Sequence, residues 1–119
     1  MPKAENHLKQ YQHNKSLFCS DAFMTNEGYR DWTITIGFYS ALHIIEKAFA
    51  ELNPPVHFKG HVIRNKFIFA NRRYDKIASK YQALYNQSIR ARYDCVTISK
   101  TDVQEVRKLV EDIEKELLT

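Results

Sequence analysis

The sequence predicts an all-α fold: an up-and-down antiparallel four-helix bundle with one additional shorter helix. Three observations favour this fold class. The 119 residues include only three glycines and three prolines, which is little turn-forming material for a sheet. Apolar residues recur at helical spacing through most of the chain. The segments with this spacing are long and their connections are short, which is typical of helices that pack as antiparallel neighbours.

Five segments have the periodicity of a helix, and capping residues, glycine and proline set their ends. They cover residues 5–24, residues 29 or 31 to 52, residues 61–73, residues 75–92 and a last segment that begins at residue 101. Pro54 and Pro55 end the second segment, because proline has no backbone N–H with which to continue a helix. Asp75 is placed to cap the fourth segment. Thr101, followed three residues later by Gln104, is placed to cap the fifth.

The second predicted helix is apolar on two sides. One face holds Ile34, Phe38, Ala41, Ile45, Ala48 and Leu52, and the nearly opposite face holds Trp32, Ile36, Tyr39 and His43. A helix of this kind is either central in the bundle or covered on its second side by another chain. His43 is therefore expected to be semi-buried in an aromatic environment.

A chain of this length is expected to form a single domain, residues 1–119, which can bury roughly two-thirds of its unfolded surface in one core. The polar start MPKAENHLKQ has no apolar signal region, and the longest apolar run, residues 34–50, contains charged residues. We therefore expect a cytoplasmic protein with no membrane partner. Cys19 and Cys95 are too few for a disulfide framework and are expected to be reduced thiols packed as small hydrophobic side chains.

Basic charge is concentrated in the middle third of the chain. Residues 58–92 hold nine Lys or Arg and one Asp or Glu. Two interpretations stay open: a surface for an anion such as nucleic acid, or a solvated basic face with no ligand. In the first interpretation the candidate phosphate contacts are Lys59, Lys66, Arg72 and Arg73.

Two arginines near the predicted core are candidate anion-binding residues. Arg64 lies three residues after His61 and therefore on the same helix face. Arg92 lies one turn after Ser88 at the margin of the core, with Asp94 as a nearby candidate partner. A buried charge needs a counter-charge or an anion, because burying it unpaired is unfavourable. Pairing with a carboxylate is the simpler alternative for both arginines.

No metal or cofactor is expected. His57 and His61 are four residues apart, but Gly60 and a proline-containing loop interrupt the helical spacing between them. The sequence has no glycine-rich phosphate loop and no Gly-x-Ser-x-Gly motif of the kind that carries a nucleophilic serine.

Three segments in this order and spacing, DWTITIGFYSALHIIEKAF, HFKGHVIRN and YQALYNQSIRARYD, resemble small bacterial and archaeal proteins of the HEPN superfamily (higher-eukaryote and prokaryote nucleotide-binding). The resemblance covers residues 31–94. It rests on Trp32, Phe38, Tyr39, Ala41, Leu42, His43, His61, Arg64, Ala91, Arg92 and Tyr93. It implies a HEPN-like bundle of four long helices and a shorter one, commonly a homodimer. Many relatives act in phage defence, toxin–antitoxin pairs or RNA processing, often beside a nucleotidyltransferase partner.

Ribonucleases of this superfamily use an Arg-x4-6-His motif assembled across a dimer interface. The motif is absent from this sequence, since residues 69–71, which follow Arg64 in the required window, include no histidine, and none follows Arg90 or Arg92. The superfamily's catalytic residues therefore cannot be assigned here, and we favour a protein that is not an enzyme.

Six residues are expected to converge from three helices into one polar pocket. They are Tyr39, His43, His61, Arg64, Arg92 and Tyr93. The arginines would hold a phosphate, a histidine would move a proton, and a tyrosine would stack on a base. The same groups would also suit a closed hydrogen-bond network that fixes the helix register.

Three functions stay open on the sequence alone. The first is a HEPN-like dimer that binds RNA, a nucleotide or a protein partner in a defence or toxin–antitoxin system. The second is a purely structural or protein-interaction bundle with no ligand. The third is an unconventional metal-independent ribonuclease built on His43, His61 and Arg92.

Overall fold

The computed structural model of the chain describes residues 2–118. Within that range it has six α-helices and two 3₁₀ turns and contains no strand. The α-helices are α1 (Ala4–Phe18), α2 (Asp21–Thr25), α3 (Arg30–Ala50), α4 (His61–Ala70), α5 (Asp75–Tyr93) and α6 (Lys100–Leu118). The 3₁₀ turns are Glu27–Tyr29, before α3, and Arg72–Tyr74, before α5. The predicted all-α fold class is confirmed.

Two of the predicted helices are interrupted in the structure. Residues 5–24 do not form one helix, because Ser20 has an extended backbone and its hydroxyl donates to a carbonyl of the preceding turn at 2.6 Å. Residues 61–73 do not form one helix either. The side chain of Asn71 accepts a hydrogen bond from the backbone N–H of Arg73 and so begins a 3₁₀ turn. Ser and Asn side chains compete with helical hydrogen bonds in this way.

The predicted helix caps are also corrected. The capping box of α6 is formed by Ser99 and Asp102, and not by Thr101 and Gln104. The backbone N–H of Ser99 donates to Oδ2 of Asp102 at 2.9 Å, and the backbone N–H of Asp102 donates to Oγ of Ser99 at 3.1 Å. Asp75 lies in the first turn of α5 and makes no side-chain cap.

Helix α3 packs against α1, α5 and α6 and supplies much of the core. Its first predicted apolar face is buried there, with Ile34, Phe38 and Ile45 fully enclosed. Helix α6 comes close at Gly37, where a Cβ atom would lie only 3.0 Å from Cγ1 of Val106. Glycine at this position allows the two helices to approach.

The second apolar face of α3 is covered only in part. His43 packs against His7 of α1, with the ring centroids 5.2 Å apart. Ile36 and Tyr39 are half-buried against the core. Trp32, near the start of the helix, is 59% exposed. A helix of the same chain therefore covers the His43 end, whereas the Trp32 end stays open.

The basic helix α5 is partly neutralised by the acidic helix α6. Three ion pairs join them: Lys76–Glu116 (3.9 Å), Lys80–Asp112 (3.2 Å) and Arg90–Asp102 (3.1 Å). Part of the basic concentration seen in the sequence is therefore balanced inside the fold.

Both cysteines, Cys19 and Cys95, are free and exposed. Their predicted packing as small hydrophobic side chains is wrong. Among residues 2–118, no helix combines the length and the apolar character needed to cross a membrane.

Candidate functional site

The side chain of Arg92 is fixed at the end of α5 by three hydrogen bonds. Its Nε donates to the backbone carbonyl of Ser88 at 3.2 Å, and Nη2 donates to the Ser88 hydroxyl at 3.1 Å. Its Nη1 donates to the hydroxyl of Tyr39 on α3 at 3.3 Å. Ser88 is fully buried, so the guanidinium is held against a rigid part of α5. We refer to Tyr39, Ser88, Arg92 and Tyr93 as the Arg92 site.

Two aromatic rings flank this guanidinium. Its central carbon lies 5.1 Å from the ring centroid of Tyr93 and 5.8 Å from that of Tyr39. Tyr93 as a residue is 66% exposed. Arginine beside an aromatic face is favoured by attraction between the cation and the ring. The site therefore places a fixed cation next to an aromatic surface that solvent reaches.

No carboxylate within residues 2–118 lies at ion-pair distance from Arg92, and the predicted pairing with Asp94 is wrong. The three observed bonds go to neutral oxygens and leave two of the guanidinium N–H groups without a partner in the described part of the chain. The charge of Arg92 is thus available to an anion from solvent.

A cavity of about 430 Å³ lies beside Arg92, between the start of α3 and the segment that follows α5. Cys95 lines it and has a left-handed backbone (φ 53°), which turns the chain after α5. Arg30 also lines the cavity, but so do Glu27 and Asp31. Because the cavity carries both signs of charge, the case for anion binding depends on Arg92 and not on the cavity as a whole.

Arg64 belongs to a different cluster and already has an anion. It is 5% exposed, and its Nε donates to Oε1 of Glu46, itself 4% exposed, at 2.8 Å. Its Nη2 donates to the carbonyl of Phe58 at 2.6 Å. The second oxygen of Glu46 accepts from Nδ1 of His57 at 3.2 Å. Of the two alternatives for Arg64, a bound anion or a carboxylate partner, the structure therefore shows the carboxylate partner.

His61 is hydrogen-bonded to Arg64 and also feels the charge of Arg92. Arg64 donates from Nη1 to Nδ1 of His61 at 3.2 Å, so Nδ1 carries no proton. The imidazole also contacts the ring of Phe38 (5.4 Å between centroids), and Phe38 in turn contacts Tyr39 (5.2 Å). Burial, and then the charges of Arg64 and Arg92, lower the pKa of His61. Its neutral form is therefore favoured at neutral pH.

His43 makes no hydrogen bond or ring contact with the other predicted site residues, and Arg64 acts on it only as a charge that adds to burial in lowering its pKa. The Nδ1 atom of His43 lies 2.9 Å from Nδ1 of His7. Burial lowers the pKa of both His7 and His43. The six residues expected in one pocket thus fall into three contact groups: Tyr39, Arg92 and Tyr93; His61 and Arg64; and His43.

The four candidate phosphate contacts are exposed, and two of them, Arg72 and Arg73, lie at the opposite end of α5 from the Arg92 site. The four are Lys59 before α4, Lys66 on α4, and Arg72 and Arg73 in the 3₁₀ turn before α5. The 19 residues of α5 separate that turn from Arg92 by about 28 Å at 1.5 Å per residue. One small ligand cannot contact both ends of α5.

Sequence reasoning missed Glu46, His57 and His7 as partners. A signal for Glu46 was present, because it is a carboxylate in the apolar run of α3 and so requires a cation. His7 carried a weaker signal, its position one turn before Tyr11 on the buried side of α1. The pairing of either residue depends on tertiary contact.

No group of three or more His, Cys, Asp or Glu side chains among residues 2–118 is arranged to hold a metal ion. Comparisons with family models, with curated proteins and with solved structures find no match to this chain.

Proposed function

We propose that this protein is a HEPN-like up-and-down helical bundle that binds single-stranded RNA or a nucleotide through the Arg92 site. One observation carries the proposal: the guanidinium of Arg92 is held in place by neutral oxygens, has no carboxylate partner within residues 2–118 and lies against the exposed side chain of Tyr93. Phosphate is the anion best matched to such a cation, because its oxygens accept paired N–H bonds from arginine.

In this proposal Arg92 binds the phosphate and the ring of Tyr93 binds a base. A base next to the bound phosphate would stack on Tyr93, a contact that contributes about 1–3 kcal/mol per base in single-strand binding proteins. A duplex keeps its bases stacked inside and offers none to such a ring. The combination therefore favours a single strand or a free nucleotide over a double helix.

The resemblance of residues 31–94 to the HEPN superfamily supports the same assignment and extends it. In this proposal the protein works as a homodimer in a defence or toxin–antitoxin system, beside a nucleotidyltransferase-type partner. The role of the Arg92 site is binding, and no catalytic step is assigned to it.

Fluorescence anisotropy with a labelled single-stranded RNA tests the proposal. Arg92→Met should weaken binding by about tenfold or more, as expected for the loss of hydrogen bonds to a charged group. Arg90→Met is the matched control, since it removes the same charge from the same helix at a residue that pairs with Asp102. It should change affinity much less.

Equal losses in the two variants would mean that binding reflects net charge and not the Arg92 site. Absence of binding to both RNA and free nucleotides in the wild-type protein would refute the proposal outright.

A second candidate function, protein interaction, is favoured by the exposed end of α3. Trp32 and Tyr29 are 59% and 43% exposed there, and large exposed aromatic groups are enriched at protein interfaces. Sedimentation analysis of Trp32→Ser tests this candidate. A dimer that dissociates in the variant supports an interface at this end of α3, and a wild-type monomer counts against it.

A further inference from the structure

A second cavity, of about 380 Å³, forms a groove between α4 and α5. Three side-chain amides line it, those of Asn65, Gln82 and Asn86, together with the rings of His61 and Tyr85. The two rings are nearly perpendicular, with centroids 4.7 Å apart. Aromatic rings beside a row of hydrogen-bonding groups suit a planar heterocycle.

The amides form a hydrogen-bonded row with two free ends. Asn65 donates from Nδ2 to Oε1 of Gln82, and Gln82 donates from Nε2 to Oδ1 of Asn86 at 2.9 Å. At one end, Oδ1 of Asn65 is buried and has no hydrogen-bond partner among the described residues. At the other end, Asn86 is exposed and its Nδ2 makes no hydrogen bond within residues 2–118. An unsatisfied buried acceptor is unfavourable. Because Oδ1 of Asn65 is enclosed by protein, Asn86 is the end of the row that a ligand can reach.

The groove and the Arg92 site are separate cavities that follow one another along α5. Gln82, Asn86, Ile89 and Tyr93 recur at helical spacing, and the first three line the groove. From Gln82 to Tyr93 the helix rises about 16 Å, the length of several stacked nucleotides at about 3.4 Å each. A strand held by its phosphate at Arg92 would therefore bring a neighbouring base into the groove.

We propose that the groove between α4 and α5 binds an unpaired adenine, presented by the same ligand whose phosphate is bound by Arg92. This inference rests on the proposed function and names its preferred base. The amide of Asn86 keeps a donor on Nδ2 and a second lone pair on Oδ1. Those two groups match N7 and the N6 amino group of adenine, the pair that Asn and Gln recognise. Guanine presents two acceptors, N7 and O6, at that edge. The amide oxygen of Asn86 would face one of them without a hydrogen between them, so guanine should bind less well than adenine.

The test compares binding of labelled A6 and U6 oligoribonucleotides. The wild-type protein should bind A6 about tenfold more tightly than U6, the discrimination expected from one bidentate amide–adenine pair. Asn86→Leu should reduce A6 affinity to that of U6 and leave U6 affinity unchanged. Gln104→Leu is the matched control, because Gln104 is an exposed amide on α6 outside the groove, and it should keep the preference.

Equal affinity of the wild-type protein for A6 and U6, or an adenine preference that survives Asn86→Leu, would overturn the inference. If both oligomers still bind in an Arg92-dependent manner, the proposed function stands and only the groove assignment fails. If neither binds, both fail. Competition by AMP separates the two ligand sources: displacement of A6 by equimolar AMP assigns the site to free nucleotides, and its absence assigns it to a single strand.

Discussion

Replacing Arg64 by methionine should destabilise the protein by about 3–5 kcal/mol, the effect expected when one partner of a buried ion pair is removed. Arg64 and Glu46 are 5% and 4% exposed, so solvent cannot hydrate the carboxylate that remains. His57 alone would still donate to it, at 3.2 Å. The variant also loses the 2.6 Å hydrogen bond to the carbonyl of Phe58, which attaches the loop before α4.

The assay is urea unfolding followed by circular dichroism, compared with the Lys76→Met control. Lys76 and Glu116 form an exposed pair at 3.9 Å, whose loss should change the free energy of unfolding by less than about 1 kcal/mol. The double variant Glu46→Met with Arg64→Met should be more stable than Arg64→Met alone, because no charge is left buried. A loss below about 1 kcal/mol for Arg64→Met, or a double variant less stable than the single one, would refute this reasoning.

Three other predictions concern the core, the histidines and the aromatic surface. Phe38→Ala should reduce the free energy of unfolding by about 3–5 kcal/mol in urea unfolding, since Phe38 is fully buried. Burial lowers the pKa of His7 and His43 below the ordinary 6.5, so the unfolded chain binds more protons at mildly acidic pH. The free energy of unfolding should therefore be highest above about pH 6.5, where these histidines are neutral in both states, and it should fall as the pH drops below that value. The fall between pH 7.5 and pH 5, measured by thermal unfolding, should be smaller in His7→Phe, and an equal fall would count against this assignment. Tyr93→Ala should weaken RNA binding about fivefold or more, because a stacking contact is lost. It should not lower Tm, because Tyr93 is exposed. An unchanged affinity would show that Tyr93 does not stack on a base of the RNA.

The fold class was predictable because helices depend on local sequence features, namely apolar spacing, capping residues and proline. The apolar spacing of α3 and the proline that follows it place that helix to within two residues at its C-terminal end. The break after α1 was not predictable from spacing, since the hydroxyl of Ser20 competes with the helix through a single hydrogen bond. The position of the α6 cap was missed because Ser99 and Thr101 both suit it.

The site was predictable only in part. Arg92, Tyr93 and Tyr39 do come together, because one turn of α5 packs against the middle of α3. The partner of His43 lies 36 residues away on α1, and nothing local to His43 specifies it. Local spacing indicated that Arg64 would need a carboxylate, but only the tertiary fold selects Glu46 among the available acids.

The most direct test of the central claim is a two-dimensional ¹⁵N NMR titration with a short single-stranded RNA, following the Nε–H signal of Arg92. The account predicts saturable shifts at that signal and at the backbone amides of Ser88 and Tyr93, with smaller changes in the turn at Arg72 and Arg73. Shifts confined to that turn, or no saturable shift at Arg92, would contradict the claim that the Arg92 site binds the phosphate.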